Sequence, residues 1–342
     1  MMDIHAMPKV ELHCHLDGSF RPETLFDVAH KDFITLSGDD VATYRALIHM
    51  RANARSVNEY LKMFADPLQC MQTRENLIRF TAELIEDLES QGVVYAEIRF
   101  APQKHTDKGL SQAEAIEAVL EGRRQGLAKC PHIQIGIIAC MMSFGDEKLN
   151  WDANMETVHA ASRYLGQGLV AIDLAGAEGI VPLRNFAPLF AEASRLHVPF
   201  TCHAGDSQGA DTVLDAMNFG ARRIGHGHHV YFDPAICRQA IHNGVTLEIC
   251  PTSNIQCMTE PSYEEHPAKN LLDMGMHVTI NTDNMFLAGV TLDTEYDHCL
   301  NQMGFCPEDL IRMNRYAITA AFCPQDVKDT VLKELDRFDA QQ

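Results

Sequence analysis

The sequence lacks three patterns that would each point to a particular class of protein. None of the 11 cysteines belongs to a Cys-x-x-Cys pair, and their number is odd, so we predict reduced thiols in a cytoplasmic protein rather than a disulfide framework. No apolar run approaches the roughly 18 residues that cross a bilayer, and the start Met1-Met2-Asp3-Ile4-His5 lacks the regions of a signal peptide. We therefore expect no membrane partner.

Basic residues and linker segments are also scarce. The 28 Lys and Arg residues are outnumbered by 47 Asp and Glu residues, and the resulting net charge of −19 repels phosphate backbones, which disfavours a nucleic-acid partner. Runs rich in Pro, Gly or Ser, repeats and low-complexity segments are missing. Although the length would also suit two domains, we expect one domain over residues 1–342.

Short runs rich in Val, Ile and aromatic residues recur between longer amphipathic stretches and predict eight strands. These runs cover residues 10–15, 93–100, 133–140, 169–174, 198–203, 222–226, 245–250 and 277–282. Strands that alternate with helices predict an α/β protein with a closed (β/α)8 TIM barrel. An open doubly wound sheet is disfavoured because no Gly-x-Gly-x-x-Gly follows the first strand.

Extra helices are expected in two places. Helical patterns at 56–64 and 76–90 fall between the first two strands, where an insertion lies on the catalytic side of a barrel and can form a lid. The chain from Pro307 onward also has helical spacing, including 308–321. We expect these C-terminal helices to close the far side of the barrel.

The first strand carries two histidines, His13 and His15. Residues two apart on a strand point to the same face, so both imidazoles can reach one metal ion. By itself this pair fits ordinary strand packing equally well. Later strands, however, end at His203, His226 and Asp283, and the carboxyl ends of barrel strands meet at one face.

Histidines and a carboxylate together suit zinc, with iron or cobalt possible in the same cage. A divalent ion lowers the pKa of bound water from about 16 toward about 7, which predicts a hydrolytic site where His226 orients or deprotonates the water. Asp206 follows His203 by three residues, with Gly205 permitting a tight bend. It is either a proton donor near the metal or the N-cap of a helix beginning near Gly209.

Six motifs occur in order along nearly the whole chain. They are PKVELHCHLDG at 8–18, DLAG at 173–176, HAG at 203–205, IGHG at 224–227, CPTSN at 250–254 and NTD at 281–283. This series resembles the adenosine deaminase family within the metal-dependent amidohydrolase barrels.

The resemblance implies one Zn²⁺ ion per chain, held by His13, His15, His203 and Asp283, with His226 and Asp283 handling the attacking water and Asp206 as the acid. It also implies a sugar contact from Asp17 and a backbone contact from Gly176 to a purine. The segment from Tyr60 to Phe64 resembles the family's apolar gate over the sugar, although their spacing fits plain helix packing equally well. The implied substrate-binding set is therefore His15, Asp17, Gly176, Asn284, Tyr60 and Phe64.

Two residues depart from the family pattern. Asp206 stands where members usually carry a glutamate that protonates purine N1, and it is one methylene shorter, so it requires a closer substrate or a shifted loop. Asn284 stands where many members have an aspartate that hydrogen-bonds purine N7. Because N7 is an acceptor, the Asn284 amide preserves that bond without needing a proton of its own.

These expectations lead to hydrolytic deamination of adenosine or 2′-deoxyadenosine, a step of purine salvage, with a small purine nucleoside as partner. Deamination of adenine or another 6-aminopurine is the alternative within the same reaction class. A purine-binding protein that keeps the metal but has weakened catalysis is a rival, for which Asp206 is the argument. A general amidohydrolase acting on a cyclic amide would leave Gly176, Asp206 and Asn284 unexplained. The sequence does not determine whether the protein forms a homo-oligomer.

Overall fold

Parallel strands form the centre of the computed structural model, which describes residues 3–52, 57–143 and 147–341. One sheet has the order β1-β2-β3-β4 and the other β5-β6-β7-β8. Single bridges from Ile172 to Phe200 and from Cys14 to Asp283 join the two sheets at both edges, which closes the barrel. The strands are β1 Lys9–His15, β2 Val93–Phe100, β3 Gln134–Ser143, β4 Leu169–Gly176, β5 His203–Ala204, β6 Arg223–His226, β7 Thr246–Ile249 and β8 His277–Ile280.

The prediction of an α/β TIM barrel is confirmed, with one clear difference in strand length. The fifth strand was expected over 198–203 but covers only His203–Ala204. Pro199 lies in the missing part and has no backbone N–H to donate to a ladder, so only the bridge at Phe200 connects this stretch to β4. β2 has the predicted bounds, and the remaining strands differ from theirs by a few residues at their ends.

The first five helices lie between β1 and β2, as predicted for an insertion. They are α1 Pro22–Lys31, α2 Val41–Ala52, α3 Val57–Leu61, α4 Ala65–Cys70 and α5 Arg74–Ser90. The helix predicted over 56–64 comprises α3 and a 3₁₀ turn, Lys62–Phe64, while Ser56 lies outside the described residues. The long helix α5 begins where the Thr73 side chain accepts a hydrogen bond from the Asn76 backbone.

The remaining helices fall into two groups: α6 to α12 lie between β2 and β8 in the chain, and α13 to α16 follow β8. They are α6 Gln112–Lys129, α7 Glu147–Tyr164, α8 Ala187–Arg195, α9 Ala210–Phe219, α10 Pro234–His242, α11 Pro251–Gln256, α12 Ala268–Asp273, α13 Met285–Ala288, α14 Leu292–Asn301, α15 Pro307–Ala320 and α16 Gln325–Asp339. Ile318 of α15 and Leu335 of α16 pack with Val10 and Leu12 of β1. In the part of the chain that the structure describes, no helix combines the length and apolarity of a membrane span.

Candidate active site

The five residues predicted at strand ends meet at one end of the barrel. The His13 ring centroid lies 4.6 Å from that of His203 and 4.9 Å from that of His226. The Nε2 atoms of His13 and His15 lie 3.5 and 3.4 Å from Asp283 Oδ1. Side chains separated by up to 270 positions along the chain therefore form one compact cluster.

The backbone holds the ends of β1 and β8 together at this cluster. The Asp283 N–H donates to the His13 carbonyl at 2.8 Å, and the His15 N–H donates to the Asp283 carbonyl at 2.7 Å. Asp283 and His226 have φ values of 58° and 60°, a left-handed conformation that is uncommon outside glycine. Such backbone strain often occurs at functional sites, where the surrounding structure over-determines it.

Two buried carboxylates, those of Glu248 and Asp173, contact His13 and His203. The Nδ1 atom of His13 donates to Glu248 Oε2 at 2.9 Å, and Nδ1 of His203 lies 2.9 Å from Asp173 Oδ2. The Nε2 atom of His13 is buried and has no hydrogen-bond partner in the described parts of the chain. Carboxylate partners of this kind are typical of metal-binding histidines, because they leave the second nitrogen available to the ion.

Arg99 pairs with both of these carboxylates. Its guanidinium donates to Asp173 at 2.8 Å and to Glu248 at 2.6 Å, and all three side chains are fully buried. Burial opposes the charge on Glu248, but the neighbouring Arg99 and Arg223 outweigh it and hold its pKa well below the usual range. Burial lowers the pKa of His13 and His15, which favours the neutral imidazoles that bind metals.

Sequence reasoning missed this supporting layer. Asp173 stood in a quoted motif without a role, and Arg99 and Glu248 were charged residues inside apolar strand runs. A buried charge is costly unless it is paired, so these charges in β2 and β7 were the available signal. The identity of their partners needed the tertiary structure.

A directed chain of hydrogen bonds orients His226. The Ala268 N–H donates to His266 Nδ1 at 3.1 Å, so the neutral ring carries its proton on Nε2, which donates to Asn254 Oδ1 at 3.2 Å. The Asn254 amide then donates to His226 Nδ1 at 3.0 Å and to Asp206 Oδ1 at 2.8 Å. His226 thereby accepts at Nδ1, which places its proton on Nε2 when the ring is neutral.

The loop that carries Asp206 is held by Glu178. The Glu178 carboxylate accepts hydrogen bonds from the backbone N–H groups of residues 205–208 at 2.7 to 3.0 Å. Gly205 adopts a φ of 66°, which its lack of a side chain permits. The alternative role of Asp206 as an N-cap is wrong, because α9 begins after Gly209. Glu178 lies two residues after the end of β4 and was not predicted, because it belongs to none of the quoted motifs.

A cavity of about 420 Å³ opens at the cluster, a size typical of small-molecule sites. Apart from His13, which lies behind its wall, every predicted site residue lines it: His15, Asp17, Tyr60, Phe64, Gly176, His203, Asp206, His226, Asp283 and Asn284. Asp17 Oδ1, the Tyr60 hydroxyl and Asn284 Oδ1 are buried without a hydrogen-bond partner among the described residues. These three unpaired polar atoms are available to a ligand.

Two glycines shape the walls of the cavity. A Cβ atom at Gly18 would lie 1.9 Å from Asn284 Oδ1, so only glycine lets the β1 turn pack against Asn284 as observed. Gly176 has a φ of 106°, and a Cβ there would lie 2.9 Å from the Ser143 carbonyl oxygen. Both positions require close backbone approach.

A parallel barrel whose strand ends bring imidazoles and a carboxylate to one cavity defines the class of metal-dependent hydrolases. A family model described as adenosine deaminase matches residues 8–338, and the chain belongs to this family. An adenosine deaminase of Haemophilus ducreyi is 36% identical over 331 residues, covering 96% of this chain and 95% of the relative.

Solved structures share the fold over nearly the whole chain. An adenine deaminase from Arthrobacter aurescens has a TM-score of 0.89 at 22% identity and covers 98% of this chain and 100% of its own. An amidohydrolase from Burkholderia ambifaria, solved with bound Zn, has a TM-score of 0.87 at 22% identity and covers 99% of this chain and 93% of its own. At these identities the likeness establishes the fold.

Proposed function

We propose that this protein is a zinc-dependent hydrolase that converts adenosine and 2′-deoxyadenosine to inosine and 2′-deoxyinosine with release of ammonia. The observation that carries this proposal is the cluster of His13, His15, His203 and Asp283 at a cavity that also contains Asp206. The adenosine deaminase of Haemophilus ducreyi, which matches this chain along almost its entire length, supports the choice of substrate.

The donor set fits one zinc ion per chain. Three imidazoles and one carboxylate are zinc ligands, and the buried Nε2 atom of His13 lacks another partner in the described residues. His13, His15, His203 and Asp283 would hold the ion, and Glu248 and Asp173 would keep two of the imidazoles oriented. When bound, the metal lowers the pKa of a water molecule, which supplies a nucleophile at neutral pH.

Asp206 and His226 would manage the protons. Addition of water across C6 and N1 of the purine places a hydroxyl on C6 and a proton on N1, and Asp206 would deliver that proton through a carboxyl oxygen. His226, oriented by Asn254, would hold a proton on Nε2, and its ring lies beside those of His13 and His203. Proton transfer to the amino group then lets ammonia leave from C6, and the purine keeps the oxygen.

Side chains and backbone that line the cavity would bind the nucleoside. Asp17 would accept a hydrogen bond from a ribose hydroxyl, and the Asn284 amide would donate to purine N7. The Gly176 backbone would contact the purine ring. Tyr60 and Phe64, whose ring centroids lie 6.4 Å apart, would cover the sugar from the insertion. With His15, these residues form the proposed substrate-binding set.

Adenine deamination is the second candidate, and the cavity argues against it. A free base would leave Asp17 and the wall formed by Tyr60, Phe64 and Leu68 without a ligand group to contact. We expect zinc-loaded protein to change the ultraviolet spectrum of adenosine at least tenfold faster than that of adenine. Chelation should abolish the change and zinc should restore it.

The same assay separates the remaining alternatives. Turnover of adenine alone would reject the nucleoside assignment. Inactivity toward adenosine, adenine and other 6-aminopurines, combined with activity in the Asp206→Glu variant, would instead favour a binding protein with weakened catalysis. Asp206→Ala serves as the comparison, because it removes the acid in either case.

A further inference from the structure

We propose that His228, His229 and Glu260 form a second divalent-cation site, separate from the histidine cluster of the barrel. His228 and His229 open the 3₁₀ turn His228–Phe232 after β6, and Glu260 lies in the loop after α11. One ligand atom from each residue lies within 4.8 Å of the other two. His228 Nε2 is 3.5 Å and His229 Nε2 is 3.9 Å from Glu260 Oε1.

Unpaired atoms in this group point to a missing ligand. Both ring nitrogens of His228 and Glu260 Oε1 are buried and lack a hydrogen-bond partner within residues 3–52, 57–143 and 147–341. His228 is fully buried, and Glu260 is 4% exposed. Buried polar atoms are usually satisfied, so three unpaired ones on two facing side chains need an explanation. A cation that accepts lone pairs from both side chains supplies it.

The geometry of His229 supports the same interpretation. Its Nδ1 lies 2.8 Å from the Gln208 carbonyl and its Nε2 lies 3.1 Å from the Thr259 carbonyl. A neutral ring can donate to only one of them. Metal-binding histidines characteristically donate the second ring N–H to a backbone carbonyl, as Nδ1 can do to Gln208. In that tautomer Nε2 carries no proton, so it does not donate to the Thr259 carbonyl and its lone pair can bind the ion that Glu260 faces.

Two imidazoles and one carboxylate suit Zn²⁺, Co²⁺ or Ni²⁺, with water completing the coordination. Burial lowers the pKa of His228 well below its usual range, so this ring is in the neutral form that binds a metal. His266 does not belong to the site, because both its nitrogens are hydrogen-bonded to Ala268 and Asn254. His228, His229 and Glu260 also share no residue with the group of His13, His15 and His203 at the barrel centre.

An ion at this site would connect three segments around Asp206. His229 contacts Gln208 in the Asp206 loop, and the Thr259 hydroxyl, next to Glu260, donates to Asp206 Oδ1 at 3.1 Å. Occupancy would thus restrain the loop that carries Asp206 without contacting the substrate cavity. We expect the ion to raise the melting temperature of the protein.

Metal counting tests the proposal directly. Metal-free protein is titrated with Co²⁺, whose visible absorption reports coordination, and Zn²⁺ content is measured by mass spectrometry after equilibrium dialysis. We expect wild type to bind one equivalent more than Glu260→Gln or His229→Gln. Glu264→Gln, which changes an exposed glutamate nearby, should keep the wild-type number.

The comparison is independent of the proposed deaminase activity, because it depends on the difference between wild type and variants and not on whether the barrel site is filled. Circular dichroism and melting in chelator establish that each variant folds, and His229→Gln carries the comparison if Glu260→Gln does not. Equal metal content in wild type and in the folded variants would overturn the proposal. The proposal would also be overturned if Glu264→Gln lost one equivalent of metal as Glu260→Gln and His229→Gln do.

Discussion

The two sides of the cavity are built differently. At the histidine end, His15, His203, His226 and Asp283 line the cavity and His13 packs against them. Partners from neighbouring strands or loops hold these side chains by hydrogen bonds and ion pairs. On the insertion side, formed by Tyr60, Leu61, Phe64 and Leu68, most of the wall is apolar and comes from the segment around α3.

This difference separates two physical roles. Hydrogen bonds and buried ion pairs have strict geometry, so the histidine end can hold reacting groups in place. Apolar contacts are non-directional and scale with buried area, so the insertion side can adjust to a ligand. We therefore expect changes at the histidine end to affect kcat or folding steeply and changes on the insertion side to affect KM gradually.

The largest expected effect on kcat comes from changing the proposed acid, Asp206. Asp206→Asn keeps the size of the side chain but removes its capacity to donate an acidic proton, so kcat for adenosine should fall by about 10²- to 10⁴-fold. Steady-state kinetics on zinc-loaded protein measure this, with the exposed Asp211→Asn as the matched control. More than a tenth of wild-type kcat in Asp206→Asn would contradict the role of Asp206.

Removal of the buried Arg99 side chain should cause the largest decrease in the free energy of unfolding. Arg99→Met leaves the Asp173 and Glu248 carboxylates without their shared cation and should lower the free energy of unfolding by about 3–5 kcal/mol. Urea denaturation measures it. Arg124→Met removes an exposed arginine paired with Glu121 and should cost less than about 0.5 kcal/mol. Similar losses in both variants would show that the buried ion pairs of Arg99 stabilise the fold no more than an exposed ion pair does.

Asn254→Ala tests the orientation of His226. It removes the amide that donates to His226 and Asp206, so kcat should fall by roughly 10- to 100-fold, as for other partners of catalytic groups. KM should stay within about twofold, because Asn254 does not line the cavity. Asn270→Ala changes an exposed asparagine and is the control. A rise in KM with unchanged kcat would place Asn254 in binding instead.

The insertion side should show the smallest effect. Phe64→Ala removes part of the apolar wall and should raise KM for adenosine about fivefold, or about 1 kcal/mol, with kcat nearly unchanged. Phe33→Ala removes a ring that is 95% exposed and should leave both constants unchanged. A kcat loss in Phe64→Ala as large as that in Asn254→Ala would erase the contrast between the two sides.

Much of the histidine end was predictable because its signals are local or topological. The two-residue strand period places His13 and His15 on one face. The parallel barrel brings later strand ends to the same rim, which predicted His203, His226 and Asp283 beside them. Strand ends were less predictable, as β5 shows, because the ladder depends on which neighbours can donate hydrogen bonds.

By itself, the sequence determined the barrel, the five-residue cluster and the family, since these follow from periodicity, alternation and ordered motifs. Only the tertiary structure decided how Glu178 holds the Asp206 loop, how Asn254 orients His226 and how Glu260 meets His228. Each of these arrangements joins side chains through a distance and an angle in space. Such contacts leave no period in the chain, because folding, not sequence spacing, brings the atoms together.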